Sequence, residues 1–472
     1  MICIARKLEL ISRREFVALG SVAALSACSP GQQQVSRSSK RPNIVFILAD
    51  DLGYADLSCY GRRDYSTPVI DRLAAQGARF LSAYANSPVC SPTRTALMTG
   101  RYQYRLPVGL EEPLSLRDTG LPPEHPTLPS RLRDSGYQTA LVGKWHLGSL
   151  PKYGPLKSGY EHFWGFRHGA IDYFSHDGPW GDDLWDQDTP IEKTGYLTNL
   201  LGDRAVEVIN EFSGSDRPFF MSLHFSAPHW PWEGPDGKPE SDRLKAAGPR
   251  AILHWDGGTL ETFKWMVQTM DAQVGRVLDA LEANGLSDNT IVVFTSDNGG
   301  ERFSDTWPFT GRKTELLEGG IRIPCILRWP GRLPEGSIIA DPTITMDWVP
   351  TLLAAGGATP DLAYPLDGVD LMARTGGEPD RTFFWRYKHL GQEACRQGKW
   401  KYLQIAGNTF LFDVEKDPLE RANLKTRFPR EFERLVSAYR EWDAGMLPLD
   451  PEANSHGFTG RDLADRFGVK PD

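Results

Sequence analysis

Cysteine is scarce in this chain, with six in 472 residues, at positions 3, 28, 59, 90, 325 and 395. Their irregular spacing, without a CxxC pair, excludes a disulfide framework and a zinc site built on thiolates. Long hydrophobic runs are missing as well: the apolar stretch from Phe16 to Ala27 falls short of the roughly 20 residues that span a bilayer. An excess of basic charge is also lacking. The 53 lysines and arginines stand against 61 acidic residues, and the net charge of −8 argues against nucleic acid as a partner. Whole-chain charge governs solubility and steering, so binding of a small anion rests on the cations of one cleft. No tandem repeat is visible.

What is present begins with a targeting segment. Arg6, Lys7, Arg13 and Arg14 form a basic start ahead of the apolar stretch. The string Ser12-Arg13-Arg14-Glu15-Phe16-Val17 resembles a twin-arginine export signal, which implies a twin-arginine translocase as partner. Leu25-Ser26-Ala27-Cys28 resembles a lipobox, which implies cleavage before Cys28 and a lipid anchor on it. The polar tract 29–40 suits a tether. These readings predict a signal peptide over 1–27, a lipidated cysteine and tether over 28–40, a catalytic domain over 41–378 and a C-terminal subdomain over 379–472. The expected location is periplasmic or cell-surface, on a membrane. Ser29 after the cysteine favours the outer one.

Beyond the tether, short apolar runs alternate with helical patterns. Asn43 to Ala49 and Ile291 to Thr295 read as buried parallel strands. Further strands are expected over Arg79–Tyr84, Gln138–Val142 and Phe219–Phe225, with helices over Pro68–Gln76, Leu128–Asp134, Leu197–Glu211 and Leu260–Ala283. This alternation predicts an α/β fold with a mostly parallel sheet and ligands at the carboxyl ends of its strands. From about Pro379 the texture changes to short β-like runs (Phe383–Tyr387, Trp400–Gln404, Phe410–Phe412) and one helix over Arg430–Trp442.

Both parallel strands named first end in oxygen donors, Asp50-Asp51 and Asp297-Asn298. Donors of this kind, without histidine or thiolate, suit calcium or magnesium rather than zinc.

The string Cys90-Ser91-Pro92-Thr93-Arg94-Thr95-Ala96-Leu97-Met98-Thr99-Gly100 sets one cysteine at the start of a predicted helix, with Arg94 one turn on. Unpaired amides, the macrodipole and the guanidinium all favour an anion there. This string resembles the sulfatase signature C-x-P-[ST]-R-x-x-x-x-T-G, with Thr93 where serine is commoner. ADDLGY (49–54), TSDNGG (295–300), GKWHLG (143–148), APHWP (227–231), GRK (311–313) and EGGIRIP (318–324) each resemble a sulfatase block in the right order, and the resemblance covers roughly Arg41 to Leu424.

The resemblance implies a large, mostly parallel mixed sheet sandwiched by helices, followed by a small antiparallel sheet with one helix. It also implies a sulfuric ester hydrolase. Cys90 would be oxidised to formylglycine by a formylglycine-generating maturation enzyme. Asp50, Asp51, Asp297 and Asn298, with an oxygen of modified Cys90, would hold one calcium, or magnesium in its place. Lys144 and Lys313 would bind sulfate oxygens, and Arg94 would hold the formylglycine. His146 would act as base and His229 would protonate the leaving alcohol. The geminal diol explains why serine would not suffice: its second hydroxyl collapses to expel sulfate. Residues 164–166 and 170–177 resemble a block at the substrate mouth, so Asp172 and His176 are expected to meet sugar hydroxyls. Trp180, Trp185, Trp230 and Trp232 suit stacking against sugar rings. The substrate expected is a sulfated carbohydrate, with aryl sulfates as surrogates.

Two rival readings remain at this level: a phosphate ester or phosphonate hydrolase of the same superfold, and a lipoprotein that binds sulfated glycans without cleaving them.

Overall fold

The computed structural model describes residues 40–115, 117–374 and 381–458. The predicted export signal, Cys28 and most of the tether lie outside the described residues. Ten strands form the main sheet: β1 (Asn43–Ala49), β2 (Ala78–Phe80), β3 (Gln138–Lys144), β4 (His162–Phe166), β5 (Trp185–Asp186), β6 (Thr189–Pro190), β7 (Phe219–His224), β8 (Thr290–Ser296), β9 (Cys325–Arg328) and β10 (Ser337–Ile339). Their order is β10-β2-β9-β8-β1-β7-β3-β4-β5-β6. The five central strands, β8-β1-β7-β3-β4, run parallel, and β9 and β5 join on either side antiparallel.

The sheet is covered on both faces because β1 is apolar from Ile44 to Ala49. Val45 and Ile47 point into one core with helices α1 (Pro68–Ala75), α4 (Leu197–Ser213) and α5 (Leu260–Ala283). Ile44, Phe46 and Leu48 point into the other, against α3 (Leu128–Asp134) and α6 (Trp348–Gly356). The same second core takes Leu97 and Met98 of α2 (Cys90–Thr99). A strand buried on both faces cannot show polar alternation, which is why it reads as a continuous apolar run.

One predicted strand, Arg79–Tyr84, is divided. Ala78–Phe80 joins the main sheet, and Ala83–Tyr84 pairs instead with Thr343–Ile344. The Arg322 guanidinium takes the intervening Leu81 carbonyl through Nε at 3.0 Å and Nη2 at 2.6 Å, so that carbonyl serves a side chain at the point where the chain leaves the sheet.

The C-terminal part is an antiparallel meander of β11 (Thr382–Tyr387), β12 (Gln392–Gln397), β13 (Trp400–Ile405) and β14 (Asn408–Asp413), with α7 (Pro429–Asp443) on one face. Cys395, Tyr402 and Leu411 pack against Leu435 and Tyr439 of α7. The opposite face meets the main body through Trp385 and Leu403, which share a core with Tyr84 and Ile321. A buried ion cluster crosses this seam. Lys401 Nζ lies 3.0 Å from Glu318 Oε1 and 2.9 Å from Glu420 Oε1, and the side chains are closed to solvent. Glu318 also has Arg322 at 3.0 Å.

Replacing Lys401 by methionine leaves Glu420 buried without its cation, while Glu318 keeps Arg322. Lys401→Met is expected to cost about 3–5 kcal/mol of stability. The urea unfolding midpoint checks this, and adding Glu420→Gln is expected to recover part of the loss.

Candidate active site at the carboxyl ends of the parallel strands

Four neighbouring strands deliver the site from one edge. β1 ends in Asp50-Asp51, β8 in Asp297-Asn298 and β3 in Lys144 with His146 beyond it, while β7 leads through Pro228 to His229. Close approach here needs glycine: Gly143 sits at φ +110°, and a Cβ there would collide with the His224 carbonyl oxygen. Asp51 and His146 are themselves held left-handed, at φ +63° and +58°. For residues with a Cβ this costs about 1–2 kcal/mol, a strain that clusters at functional sites.

Cys90 opens α2, whose residues are all buried. Its Sγ lies 3.3 Å from His146 Nδ1, and His146 Nε2 donates to the Leu114 carbonyl at 2.9 Å. That assignment leaves Nδ1 as the acceptor facing Cys90. His229 has the opposite tautomer, with Nδ1 donating to the Trp230 carbonyl at 2.6 Å and Nε2 standing 3.6 Å from Asp51 Oδ2.

The charges are closely paired. Lys144 Nζ lies 2.5 Å from Asp50 Oδ2 and Lys313 Nζ lies 2.6 Å from Asp51 Oδ2. Asn298 Nδ2 donates to Asp51 Oδ1 at 2.7 Å. Arg94 directs its guanidinium to Asp297 Oδ2, at 3.0 Å from Nε, and to the Lys144 carbonyl at 3.1 Å. These two bonds make Arg94 a clamp between β8 and β3. Glu301 Oε2 stands 3.7 Å from Lys313 Nζ, a buried carboxylate that reading the sequence did not single out.

Burial dominates the proton affinities. It pushes the Cys90 thiol up to about 11, against the pull of Lys144, so an unmodified Cys90 is a thiol and not a thiolate nucleophile at neutral pH. Burial, with Lys144 beside one and Lys313 beside the other, holds His146 and His229 well below the usual imidazole range. Burial also works to raise Asp51, but Lys313 and His229 overcome it and hold the carboxyl at about 2. Asp297 is pushed up to about 7 by burial and by the Asp50 carboxylate nearby.

A metal ion fits this donor set. Asp50 Oδ1 and Asn298 Oδ1 are buried oxygens without a hydrogen-bond partner among the described residues. Donor atoms of Asp50, Cys90 and Asp297 lie within 4.8 Å of one another. Crowded carboxylates and orphaned amide oxygen match a hard divalent cation.

The cavity above Cys90 has a volume of about 410 Å³ and is lined by His146, His229 and Lys313 at its floor. Two expected mouth residues are corrected. Asp172 Oδ1 accepts from the amides of Phe174 and Ser175 and from Ser241 Oγ, so it closes its own turn. His176 is buried at φ +57° in the same turn, and neither residue lines the cavity. Of the four tryptophans, Trp180 and Trp230 line it, whereas Trp232 is buried and Trp185 lies under Arg167. The walls also include Arg167, His168, Asn454 and His456, none of which carried a motif.

A buried acid–base pair, a clamp of cations and a hard-metal donor set define a hydrolase for esters of a small oxyanion. The chain belongs to the sulfatase family, whose model matches residues 42–358, and it is a sulfuric ester hydrolase. It is 33% identical to the N-acetylgalactosamine-6-sulfatase of Canis lupus familiaris over 88% of each chain. It is 31% identical to arylsulfatase A of Homo sapiens over 82% of this chain and 84% of that one. The crystal structure of Ps i-CgsB in complex with k-i-k-neocarrahexaose superposes with a TM-score of 0.78 at 29% identity, covering 89% of this chain and 96% of the other.

The rim residues Asn454 and His456 depend on Glu112. Its Oε2 accepts from the Lys388 amide at 2.7 Å and Ser455 Oγ at 3.0 Å, and its carbonyl accepts from the His456 amide at 2.7 Å. Burial pushes the Glu112 carboxyl from 4.5 up to about 8. A raised folded-state value means that its contribution is complete below pH about 4.5 and is lost as pH rises to about 8. Glu112→Gln removes this slope. Melting temperatures of the variant are expected to gain on the parent between pH 5 and 8, and the gap is expected to level off above that.

Proposed function

We propose that this enzyme releases inorganic sulfate from a sulfated carbohydrate, with residue 90 acting as formylglycine. The observation that carries the reading is Cys90 itself. It is buried at the N-terminus of α2, 3.3 Å from His146, and its thiol is held protonated, which makes the unmodified side chain a poor nucleophile. A hydrated aldehyde there would supply one hydroxyl to attack sulfur and a second to drive sulfate out. A calcium ion, with magnesium as the alternative, would be held by Asp50, Asp51, Asp297 and Asn298 and would neutralise charge on the sulfate oxygens.

The chain's own groups do the rest. Lys144 and Lys313 bind the peripheral sulfate oxygens, and Arg94 fixes Asp297 against β3. Cys90 Sγ stands in for the hydroxyl oxygen, so His146 Nδ1, facing it, accepts the proton that the second step releases. His229 Nε2 gives its proton to the leaving oxygen. In the free enzyme burial and Lys313 keep His229 neutral, and an incoming sulfate ester offsets the lysine charge and raises its proton affinity where a donor is needed.

Support for a carbohydrate comes from the relatives: one acts on N-acetylgalactosamine 6-sulfate by its name, and one structure holds a neocarrahexaose. The reading includes export by a twin-arginine route, prior oxidation by a maturation enzyme, and a lipid anchor at Cys28 in the outer membrane.

Mass spectrometry of the peptide containing residue 90, from protein coexpressed with a formylglycine-generating enzyme, is expected to find formylglycine. Cys90→Ala is expected to abolish sulfate release. Unmodified cysteine in protein that still releases sulfate would sink the mechanism, and robust phosphodiester turnover without sulfate release would sink the activity. His229→Ala is expected to lower kcat on sugar sulfates by roughly 10²–10⁴-fold. Its effect on 4-nitrophenyl sulfate should be far smaller, because nitrophenolate leaves without a proton.

A further inference from the structure

Glu301 is an anion where the binding of sulfate calls for cations. It lies in the loop after Asp297-Asn298, and its side chain is buried. Its Oε2 has no hydrogen-bond partner among the described residues and stands 3.7 Å from Lys313 Nζ. Backbone bonds hold the two residues at this separation. The Lys313 amide donates to the Gly300 carbonyl at 2.9 Å, and the Glu301 carbonyl accepts from the Ser304 amide at 2.9 Å. The Trp230 side chain lies beside the same carboxyl, with its ring centroid 5.8 Å from Lys313 Nζ. Arg302, next in the chain, is directed elsewhere: its Nη1 donates to the Gly257 carbonyl at 2.9 Å and to the His254 carbonyl at 3.4 Å.

Lys313 does not need Glu301 as a counterion, because Asp51 Oδ2 is already 2.6 Å from its Nζ. Glu301 is therefore a fourth carboxyl beside the three that Lys144, Lys313 and Arg94 offset. Lys313 lines the cavity and Glu301 does not, so Glu301 stands back from a bound anion and acts on it through its field. The penalty from a single negative charge is proportional to the charge of the ligand, and it doubles from a monoanion to a dianion in the same position. A sulfate monoester carries one charge. A phosphate monoester carries two above its second pKa of about 6, and so does the inorganic sulfate that hydrolysis forms.

We infer that Glu301 sets the charge selectivity of the pocket, disfavouring dianions so that phosphate monoesters are rejected and product sulfate is released. Glu301 is thus a specificity-determining residue that does not touch the substrate. This rests on the reading that Lys313 binds the sulfate ester. Burial raises the Glu301 carboxyl to about 7 against the pull of Lys313, so at about pH 8.5 it is ionised and phosphate monoesters are dianionic.

The test replaces Glu301 by glutamine, which keeps the shape and removes the charge, and by aspartate, which keeps the charge. Inorganic sulfate and inorganic phosphate serve as competitive inhibitors of 4-nitrophenyl sulfate turnover at about pH 8.5. In Glu301→Gln both inhibition constants are expected to fall about tenfold, and KM for the monoanionic 4-nitrophenyl sulfate about threefold, as the ratio of charges requires. Calorimetric binding to Cys90→Ala is expected to show the same contrast when Glu301→Gln is added, with affinity for 4-nitrophenyl phosphate rising about threefold more than affinity for 4-nitrophenyl sulfate. Glu301→Asp is expected to keep the parent's discrimination. Glu301→Ala, which is also neutral, gives the same reading if the glutamine variant folds poorly. Equal changes for monoanion and dianions in the neutral variants, or discrimination lost as fully in Glu301→Asp, overturn the role of Glu301 and leave the sulfatase activity standing. A parent enzyme that turns over 4-nitrophenyl phosphate and not 4-nitrophenyl sulfate overturns the sulfate reading and this inference with it.

Discussion

Everything at the site turns on the balance of buried charge. Asp50, Asp51 and Asp297 are three carboxyl groups closed to water, and Lys144, Lys313 and Arg94 are the three cations set against them. None could stay buried alone, because an isolated ion in a low-dielectric interior costs several kcal/mol or more. The clamp also explains how the site can receive a sulfate ester. The protein groups alone come close to neutral, and a divalent ion in the oxygen donors would tip the pocket positive, which favours an incoming anion.

That balance requires residues far apart in sequence to meet, and the parallel sheet arranges it. Every parallel strand presents its carboxyl end to the same edge, so β1 and β8, about 250 residues apart, place Asp51 and Asn298 within 2.7 Å. The cost is seen in backbone strain at Asp51 and His146 and in the glycine that lets β3 and β7 approach. Lys401 of the C-terminal meander holds the seam, and beyond α7 Asn454, His456 and Phe458 reach the cavity.

How much of this is legible in the sequence depends on whether chemistry or packing decides. The parallel strands show because burial on both faces demands continuous apolar runs, and Leu128–Asp134 and Leu260–Ala283 show as helices to the residue. The acidic strand ends and the Cys90 signature show because metal and sulfate chemistry leave little choice of residue. Strand β4 does not show, since HFWGF carries a glycine and no regular alternation. The rim is the least legible part. Asp172 and His176 sit in a suggestive string, yet the Asp172 carboxylate is taken by amides two and three residues on, a local bond that any Asx turn can make. Arg167 carries no motif, because its place in the wall and over the Trp185 ring is created only by the fold.

The burial of α2 sets an order in time. With Cys90 2% exposed and its helix packed on every side, no second protein can reach that thiol once the chain has folded. Any enzymatic oxidation of residue 90 has to act on the nascent or unfolded chain, before β8 delivers Asp297 to Arg94. The last residues of the cavity wall, Asn454 to Phe458, leave the ribosome long after Cys90. Synthesis therefore leaves a window between the appearance of the cysteine and the closing of the pocket. A destabilising substitution anywhere that lengthens the window would favour modification while it lowers the yield of folded enzyme.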